Sequence, residues 1–180
     1  MSDPAPFRVA DLAQTRSTAF VVEPDADARS AIAAQLELSA LRKLRLTGTI
    51  EARGKRDWLL QAKLGATIVQ PCSVTLEPVM TRIDVPVTRL FVADMPEVNA
   101  PEVEVPDDDT QEPLGTHIDV AAVMVEALSL ELPEYPRAPD AALKDAVFTE
   151  PGKTPLRDED TKPFAALAAL KNQLDPGNEQ

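Results

Sequence analysis

The residue types best suited to chemistry lie together in one short segment, Cys72-Ser73-Val74-Thr75-Leu76-Glu77-Pro78, which directly follows Pro71. Proline fixes its own φ and disfavours helix in the residue before it, so this segment is predicted to be a loop joining two strands. The lone thiol of Cys72 could be a nucleophile, a metal ligand or merely a small residue. Because no histidine lies nearby in sequence to activate it, the sequence favours a structural role. We expect a recognition loop in which Cys72, Thr75 and Glu77 are candidate binding residues.

The region before this loop is a second candidate site because it is locally basic. Its cations are Arg42, Lys43, Arg45, Arg53, Lys55, Arg56 and Lys63. If the neighbouring strands form a sheet, several of these side chains gather on one face together with Arg82. The members of that face are Lys43, Arg45, Arg53, Lys63 and Arg82. Such a face is either an ordinary solvated surface or a small platform for an anionic partner such as RNA. The candidate binding residues are Lys43, Arg45, Arg53, Lys55, Arg56 and Lys63.

Acidic residues outnumber basic ones in the whole chain, with 30 against 18 and a net charge of −12. This charge repels a phosphate backbone at long range and favours basic partners. Many of the acids lie in residues 94–118, among four prolines. We therefore predict a disordered or extended acidic loop there, either a solubilising segment or an arm that shields the basic platform or a basic protein partner. His117 ends this loop without a second ligand beside it, so we expect it to be structural.

Several classes of function lack their usual sequence signals. The chain contains no phosphate-binding loop, dinucleotide glycine pattern, zinc-spaced cysteine set or nucleophile elbow. Its carboxylates concentrate in the acidic loop, where a general acid–base pair could not be held in fixed geometry. We therefore predict no enzymatic activity, no catalytic residue, no cofactor and no metal. The single cysteine suits a reducing compartment, and no apolar run approaches the roughly 18 residues that span a bilayer, so we expect a cytoplasmic protein without membrane contact.

The elements that must position these side chains are predicted to be strands. Apolar and polar residues alternate over 44–53 and again over 58–68, with Gly54 in the turn between them, which predicts a β-hairpin. A third alternating stretch over 83–91 contains Pro86 on the opposite parity. Because proline cannot donate to a sheet ladder, this third strand is predicted to lie at an edge or to contain a bulge.

Three helices are predicted around the strands. Acidic residues followed by an apolar stripe indicate a helix over 25–38, and Asp119 is the predicted N-cap of a second helix. Within that second helix, Glu126 either pairs with an arginine of the sheet or faces water. A third helix, near the C-terminus, is predicted with Asp160 or Thr161 as its N-cap, Pro163 in its first turn and a narrow apolar stripe.

These elements predict an α+β fold, in which a twisted antiparallel β-sheet is packed by a few short helices. The sheet is expected to be a meander. The sequence leaves open whether this sheet curls into a barrel-like shape. Residues 1–17 are predicted to be a flexible N-terminus, and 18–137 a single α+β domain that includes the acidic loop. Residues 138–180 are predicted to be a loose connection followed by the C-terminal helix.

Three blocks of the chain carry a resemblance to a known family. The first is Gln70-Pro71-Cys72-Ser73-Val74-Thr75-Leu76-Glu77-Pro78, similar to a family segment where two cysteines three positions apart precede an apolar-acidic-proline run. The second combines Ile118-Asp119-Val120 with Glu126 and residues 130–136, and resembles a family helix that ends in a Leu-Pro and Pro pattern. The third, residues 162–171, is similar to a terminal helix with Asn-Pro-Phe and Leu-Lys. On these blocks the chain resembles the YceD family, named for large ribosomal RNA subunit accumulation.

The chain departs from the family pattern at two of these positions. Thr75 stands where many members have the second cysteine, so Cys72 cannot form a two-cysteine metal clamp. Lys162 replaces the common asparagine before Pro163, although Asp160 or Thr161 can still cap the helix.

The resemblance implies participation in the synthesis, processing or accumulation of large-subunit (23S) ribosomal RNA, hence ribosome biogenesis in the cytoplasm, with no known reaction. Family members are also commonly encoded beside a small basic ribosomal protein. The leading hypothesis is a non-enzymatic factor that contacts a large-subunit precursor, either ribosomal RNA or a basic ribosomal protein, and the net charge favours the protein. The alternatives are an RNA-processing enzyme that uses Cys72 or Glu77, and a chaperone of a small basic protein. The oligomeric state stays open.

Overall fold

The computed structural model describes residues 6–95 and 110–142. The chain divides into two units, Met1–Ala141 and Ala142–Gln180, and the description below concerns the first. The predicted C-terminal helix and the part of the acidic loop between residues 96 and 109 lie outside the described residues.

Three long antiparallel strands form the centre of the fold: β3 (Ala40–Arg53), β4 (Asp57–Pro71) and β5 (Pro78–Val92). The predicted alternation is confirmed for all three, and each strand extends beyond the predicted bounds. One face of β4 is buried, because Trp58 and the leucine, alanine and isoleucine side chains that follow at every second position point into the core. This packing fixes which face of the sheet is apolar.

Short strands complete the sheet at both edges. β2 (Thr18–Val22) pairs antiparallel with β3, and β6 (Gln111–Pro113) pairs parallel with β5, which gives the order β2-β3-β4-β5-β6. The α+β class is therefore confirmed, but the sheet is mixed rather than purely antiparallel. The strands that the structure describes form an open sheet without barrel closure. A separate two-stranded sheet pairs β1 (Phe7–Arg8) with β7 (His117–Ile118).

Two segments predicted to be flexible are in part built into this framework. Residues 6–17 contain β1 and a 3₁₀ turn, and the backbone N–H of Val9 donates to the carbonyl of Thr116 at 3.0 Å. Residues 110–118 of the acidic loop contain β6 and β7, with Ile118 fully buried. Charge and proline content predicted a disordered or extended loop over residues 94–118, and its described end is extended chain that pairs with distant strands. This pairing satisfies part of the hydrogen-bonding capacity of the backbone in both segments.

Two helices pack on the apolar face of the sheet; the predicted cap of the second is confirmed, and the first begins after Asp25, an acid that was predicted to lie in its first turn. In α1 (Ala26–Gln35), a carboxylate oxygen of Asp25 accepts a hydrogen bond from the N–H of Ala28 at 3.0 Å. In α2 (Val120–Leu130), Asp119 accepts from two backbone N–H groups of the first turn, each at 3.0 Å. A side-chain oxygen at this position satisfies donors that the helix itself cannot pair.

Arg89 explains how the end of the acidic loop attaches to the sheet. Its Nε lies 2.9 Å from a carboxylate oxygen of Glu112, and its Nη2 lies 2.7 Å from one of Glu126. The Arg89 side chain is only 13% exposed, so the two carboxylates compensate a largely desolvated charge. Of the two alternatives for Glu126, the structure shows the pair with an arginine of the sheet.

Among the described residues, no helix is both long and apolar enough to cross a membrane.

Gly48 provides a test of the packing between β3 and β4. A Cβ at this position would overlap the carbonyl oxygen of Gln61 and lie 2.6 Å from the Cα of Ala62, so the backbone would have to shift. We expect Gly48→Ala to lower the free energy of unfolding by about 3 kcal/mol or more, measured by urea denaturation. Gly54 is the matched control, because its φ is +69° but no atom lies within 4 Å of an added Cβ. Gly54→Ala should cost only about 1–2 kcal/mol, and equal losses would contradict the packing described.

Candidate functional site

The face of the sheet opposite the core forms an open groove of about 810 Å³. We call it the basic groove, because six of its lining residues are cationic and two are acidic. The cations are Arg29, Arg42, Lys43, Arg45, Lys63 and Arg82; the acids are Glu23 and Asp84; the others are Leu44, Thr47, Gly65 and Thr67. The groove therefore has a positive local charge although the whole chain carries −12.

The strand register brings residues from three strands into rows across the groove. Lys43 of β3 pairs with Thr67 of β4, which pairs with Arg82 of β5. Two rows along, Lys63 of β4 lies opposite Thr47 of β3. Because neighbouring strands lie about 4.8 Å apart, long basic side chains from neighbouring strands reach the same space.

An irregularity in β3 adds a cation that alternation alone would not place there. The register shifts between Leu41 and Lys43, so Arg42 has no cross-strand partner in the ladder. Such a bulge lets two consecutive residues point to the same face. Arg42 and Lys43 accordingly both line the groove. The sequence analysis did not predict this bulge; the one signal in the sequence is that two basic residues, Arg42 and Lys43, follow Leu41 directly and break the alternation.

Arg82 and Asp84 form the most constrained pair in the groove. The Nε and Nη2 of Arg82 donate to the two carboxylate oxygens of Asp84 at 2.7 and 2.6 Å, and its Nη1 donates to the hydroxyl of Thr67 at 3.2 Å. The hydrogen bonds from Arg82 hold the pKa of Asp84 below its usual range. Gly65 leaves room for this pair, since an added Cβ there would lie 2.8 Å from Nη2.

Other cations of the groove are less engaged. Arg45 donates from Nε to the hydroxyl of Thr47 at 3.2 Å and lies 3.9 Å from Glu23, a long contact between exposed groups. Within residues 6–95 and 110–142, Arg42, Lys43 and Lys63 form no ion pair. Within the described ranges, no carboxylate contacts these three cations, although the charge of Lys63 helps to lower the pKa of Asp84.

The sequence predicted only part of this set. Lys43, Arg45 and Lys63 line the groove as expected, and so does Arg82. Three other predicted residues, Arg53, Lys55 and Arg56, belong to the end of the β3–β4 hairpin and do not line it. Arg56 instead forms an ion pair with Asp94, with 2.7 Å between Nη1 and Oδ2.

The sequence analysis did not identify Arg29 as a groove residue. It predicted the helix that carries Arg29, but it gave no signal for where this helix packs against the sheet. The Nη1 of Arg29 donates to the carbonyl of Pro24 at 2.7 Å, which holds the side chain at one end of the groove.

The Cys72 loop does not line the basic groove, and hydrogen bonds within the loop stabilise its conformation. Cys72 is completely buried, and its Sγ accepts from the backbone N–H groups of Val74, Thr75 and Ala138, each at 3.4 Å. The N–H of Cys72 donates to the carbonyl of Glu77 at 2.7 Å. The residues of the loop that were predicted to bind, Cys72, Thr75 and Glu77, therefore lie together, but the thiol itself is closed to solvent.

These hydrogen bonds change the chemistry of the thiol. The side chain of Thr75, followed by the backbone N–H groups of Ala138, Thr75 and Val74, lowers the pKa of Cys72 from 9.0 to about 6, although burial acts in the opposite direction. Thr75, which stands in the position of the second cysteine of the resemblance, thus interacts with Cys72 directly. Among the described residues, no group of three or more histidine, cysteine or acidic side chains is arranged to hold a metal ion.

A family model described as "Large ribosomal RNA subunit accumulation protein YceD" matches residues 60–171. The matched range contains the Cys72 loop, β5, α2 and the groove residues Lys63 and Arg82, whereas α1 and β3 precede it. Neither the curated proteins nor the solved structures give a match.

Replacement of Thr75 tests the origin of the lowered pKa. We expect the Cys72 thiol of the unmodified protein to titrate near pH 6 and that of Thr75→Val to titrate at higher pH, because the largest contribution to the shift is removed. The ultraviolet absorbance of the thiolate measures this directly, since the chain has one cysteine. A wild-type pKa near 9.0, or an unchanged pKa in the variant, would contradict the assignment.

The same shift predicts how stability depends on pH. The folded-state pKa of about 6 lies below the unfolded value of 9.0, so folding favours the thiolate. The resulting stabilisation is complete above pH 9.0 and is lost as the pH falls toward about 6. The free energy of unfolding should therefore rise across this window relative to Cys72→Ala, and parallel pH profiles would contradict this.

Proposed function

The chain belongs to the YceD family of large ribosomal RNA subunit accumulation proteins, and on that premise we propose that it is a non-enzymatic ribosome-assembly factor that contacts large-subunit ribosomal RNA through the basic groove. Membership gives a role in accumulation of that RNA. The observation that supports direct contact is the convergence of six cationic side chains from α1, β3, β4 and β5, of which Arg42, Lys43 and Lys63 form no ion pair within the described residues.

Local charge outweighs net charge at the distances that matter for contact. At physiological ionic strength the screening length is about 8 Å, so acids elsewhere on the surface act only weakly on a phosphate bound in the groove. The net charge of −12 slows the long-range approach of RNA, but the groove determines the energy once contact is made. This reverses the preference for a basic protein partner that the net charge alone suggested.

The burial of Cys72 supports a role without catalysis by this residue. A thiolate is a competent nucleophile, but its Sγ is surrounded by three backbone donors and is closed to solvent. Attack on RNA would require the loop to open first. The hydrogen bonds of the thiolate therefore stabilise the loop, which fixes Leu76 at the surface with a positive φ of 63°.

Neutralising two groove cations that form no ion pair with the described residues tests this proposal. We expect Lys43→Gln/Lys63→Gln to weaken binding to a large-subunit ribosomal RNA fragment on the order of tenfold at moderate salt, because two phosphate contacts are lost. Large-subunit ribosomal RNA should also fall in cells that carry only this variant. The control is Arg53→Gln/Lys55→Gln, which removes the same charge outside the groove and should preserve both properties.

Equal losses in the two variants would show that charge rather than the groove matters, and would contradict the proposal. Recovery of a basic ribosomal protein without RNA from growing cells would favour the chaperone alternative. For the enzyme alternative, the decisive variant is Cys72→Ala: loss of ribosomal RNA accumulation with normal protein level and normal RNA affinity would overturn the non-enzymatic assignment.

A further inference from the structure

We infer that the basic groove takes double-helical RNA and holds it by its phosphate backbones, with no requirement for base sequence. This inference rests on the proposed function and adds to it the kind of RNA that the groove binds. It follows from three properties of the groove: the chemistry of the lining side chains, their spread across the sheet, and the way in which the arginines are engaged.

The lining side chains are suited to phosphates rather than to bases. Among the described residues, the groove is lined by cations, two acids, two threonines, a glycine and a leucine, with no aromatic ring. Proteins that hold single strands stack the bases on aromatic side chains, whereas double-stranded RNA is bound by its shape through phosphates and 2′-hydroxyls. Lysine and arginine provide the donors for such backbone contacts.

The cations are spread over a surface rather than along one line. Lys43 and Arg82 are two strands apart, about 10 Å at the usual spacing. Lys63 pairs with Pro86, four residues along β5 from Arg82, which corresponds to about 13 Å. The sugar-phosphate backbone of a single RNA strand follows one path, so it would leave some of these cations without a phosphate. The two backbones that flank a groove of a duplex can contact cations on both sides of it.

Two hydroxyl groups in the groove are set up as donors. The Thr47 oxygen accepts a hydrogen bond from Arg45, and the Thr67 oxygen accepts one from Arg82. Because each oxygen accepts from an arginine, the hydroxyl proton is left to point to another acceptor. A phosphate oxygen or a 2′-hydroxyl of RNA provides that acceptor, and the 2′-hydroxyl is absent from DNA.

The arginines and lysines of the groove are expected to contribute unequally to the affinity for RNA. Both Nε and Nη2 of Arg82 are taken by Asp84, so Arg82 has fewer donors for a phosphate than Lys43 or Lys63. Asp84 also places a negative charge inside the groove. Removal of that charge in Asp84→Asn should release Arg82 and strengthen the binding of RNA, the opposite of the effect of Lys43→Gln.

The experiment measures binding of the full chain to a duplex RNA of about 16 base pairs, to either of its single strands and to the matching DNA duplex, across a series of salt concentrations. We expect the RNA duplex to bind about fivefold more tightly than the single strand and to show the steeper salt dependence. A duplex of scrambled sequence should bind equally well, and the DNA duplex more weakly.

Two variants test how the groove charges affect the affinity for the RNA duplex and its dependence on salt. Lys43→Gln/Lys63→Gln should reduce the slope of log affinity against log salt by about 2 for the duplex, since each lost phosphate contact removes about 1. Asp84→Asn should raise affinity for the duplex several-fold.

A single strand that binds as tightly as the duplex, or affinity that follows base sequence, would overturn the inference while leaving the proposed function intact. Equal binding of RNA and DNA duplexes would contradict the contact with 2′-hydroxyls. Absence of binding to every RNA tested would instead overturn the proposed function itself.

Discussion

The register between β3, β4 and β5 is the constraint on which both the core and the basic groove depend. In β4, Trp58, Leu60, Leu64, Ala66 and Ile68 are buried, while Lys63 and Thr67 face the other side of the sheet. A slip of one residue would expose the first set and bury Lys63, so burial of apolar area holds the register firmly. The same register aligns Lys43, Thr67 and Arg82 across three strands. Packing on one face therefore determines where the charges of the other face meet.

Local patterns in the sequence predicted the elements whose causes are local. Alternation over 44–53 and 58–68 gave the hairpin, and Asp25 and Asp119 marked the two described helices. The sequence did not reveal β2, β6 or the parallel pairing, because each is stabilised by a partner far along the chain. For the same reason the ion pair of Glu126 with an arginine of the sheet could only be stated as an alternative, and that of Glu112 with Arg89 was not foreseen. The strands within residues 110–118 lie in a segment that was expected to be disordered or extended.

The candidate site shows the same division between local and distant causes. Alternation placed Lys43, Arg45 and Lys63 on one face, but it also included Arg53, which the length of the hairpin carries beyond the groove. Arg29 enters from a helix, so only tertiary structure reveals it. The Cys72 loop was correctly located between two strands, yet its lowered pKa depends on Thr75 and on the N–H of Ala138 in another segment. The family resemblance identified the role in ribosomal RNA accumulation but not the surface involved.

If large-subunit ribosomal RNA binds in the basic groove, crosslinking in growing cells should attach that RNA to residues of the groove. Identification of the crosslinked peptides and of the attached RNA measures this. We expect crosslinks between large-subunit ribosomal RNA and peptides that contain Lys43, Lys63 or Arg82. Crosslinks confined to the hairpin end at Arg53 and Lys55, or crosslinks to proteins alone, would contradict binding of RNA in the groove.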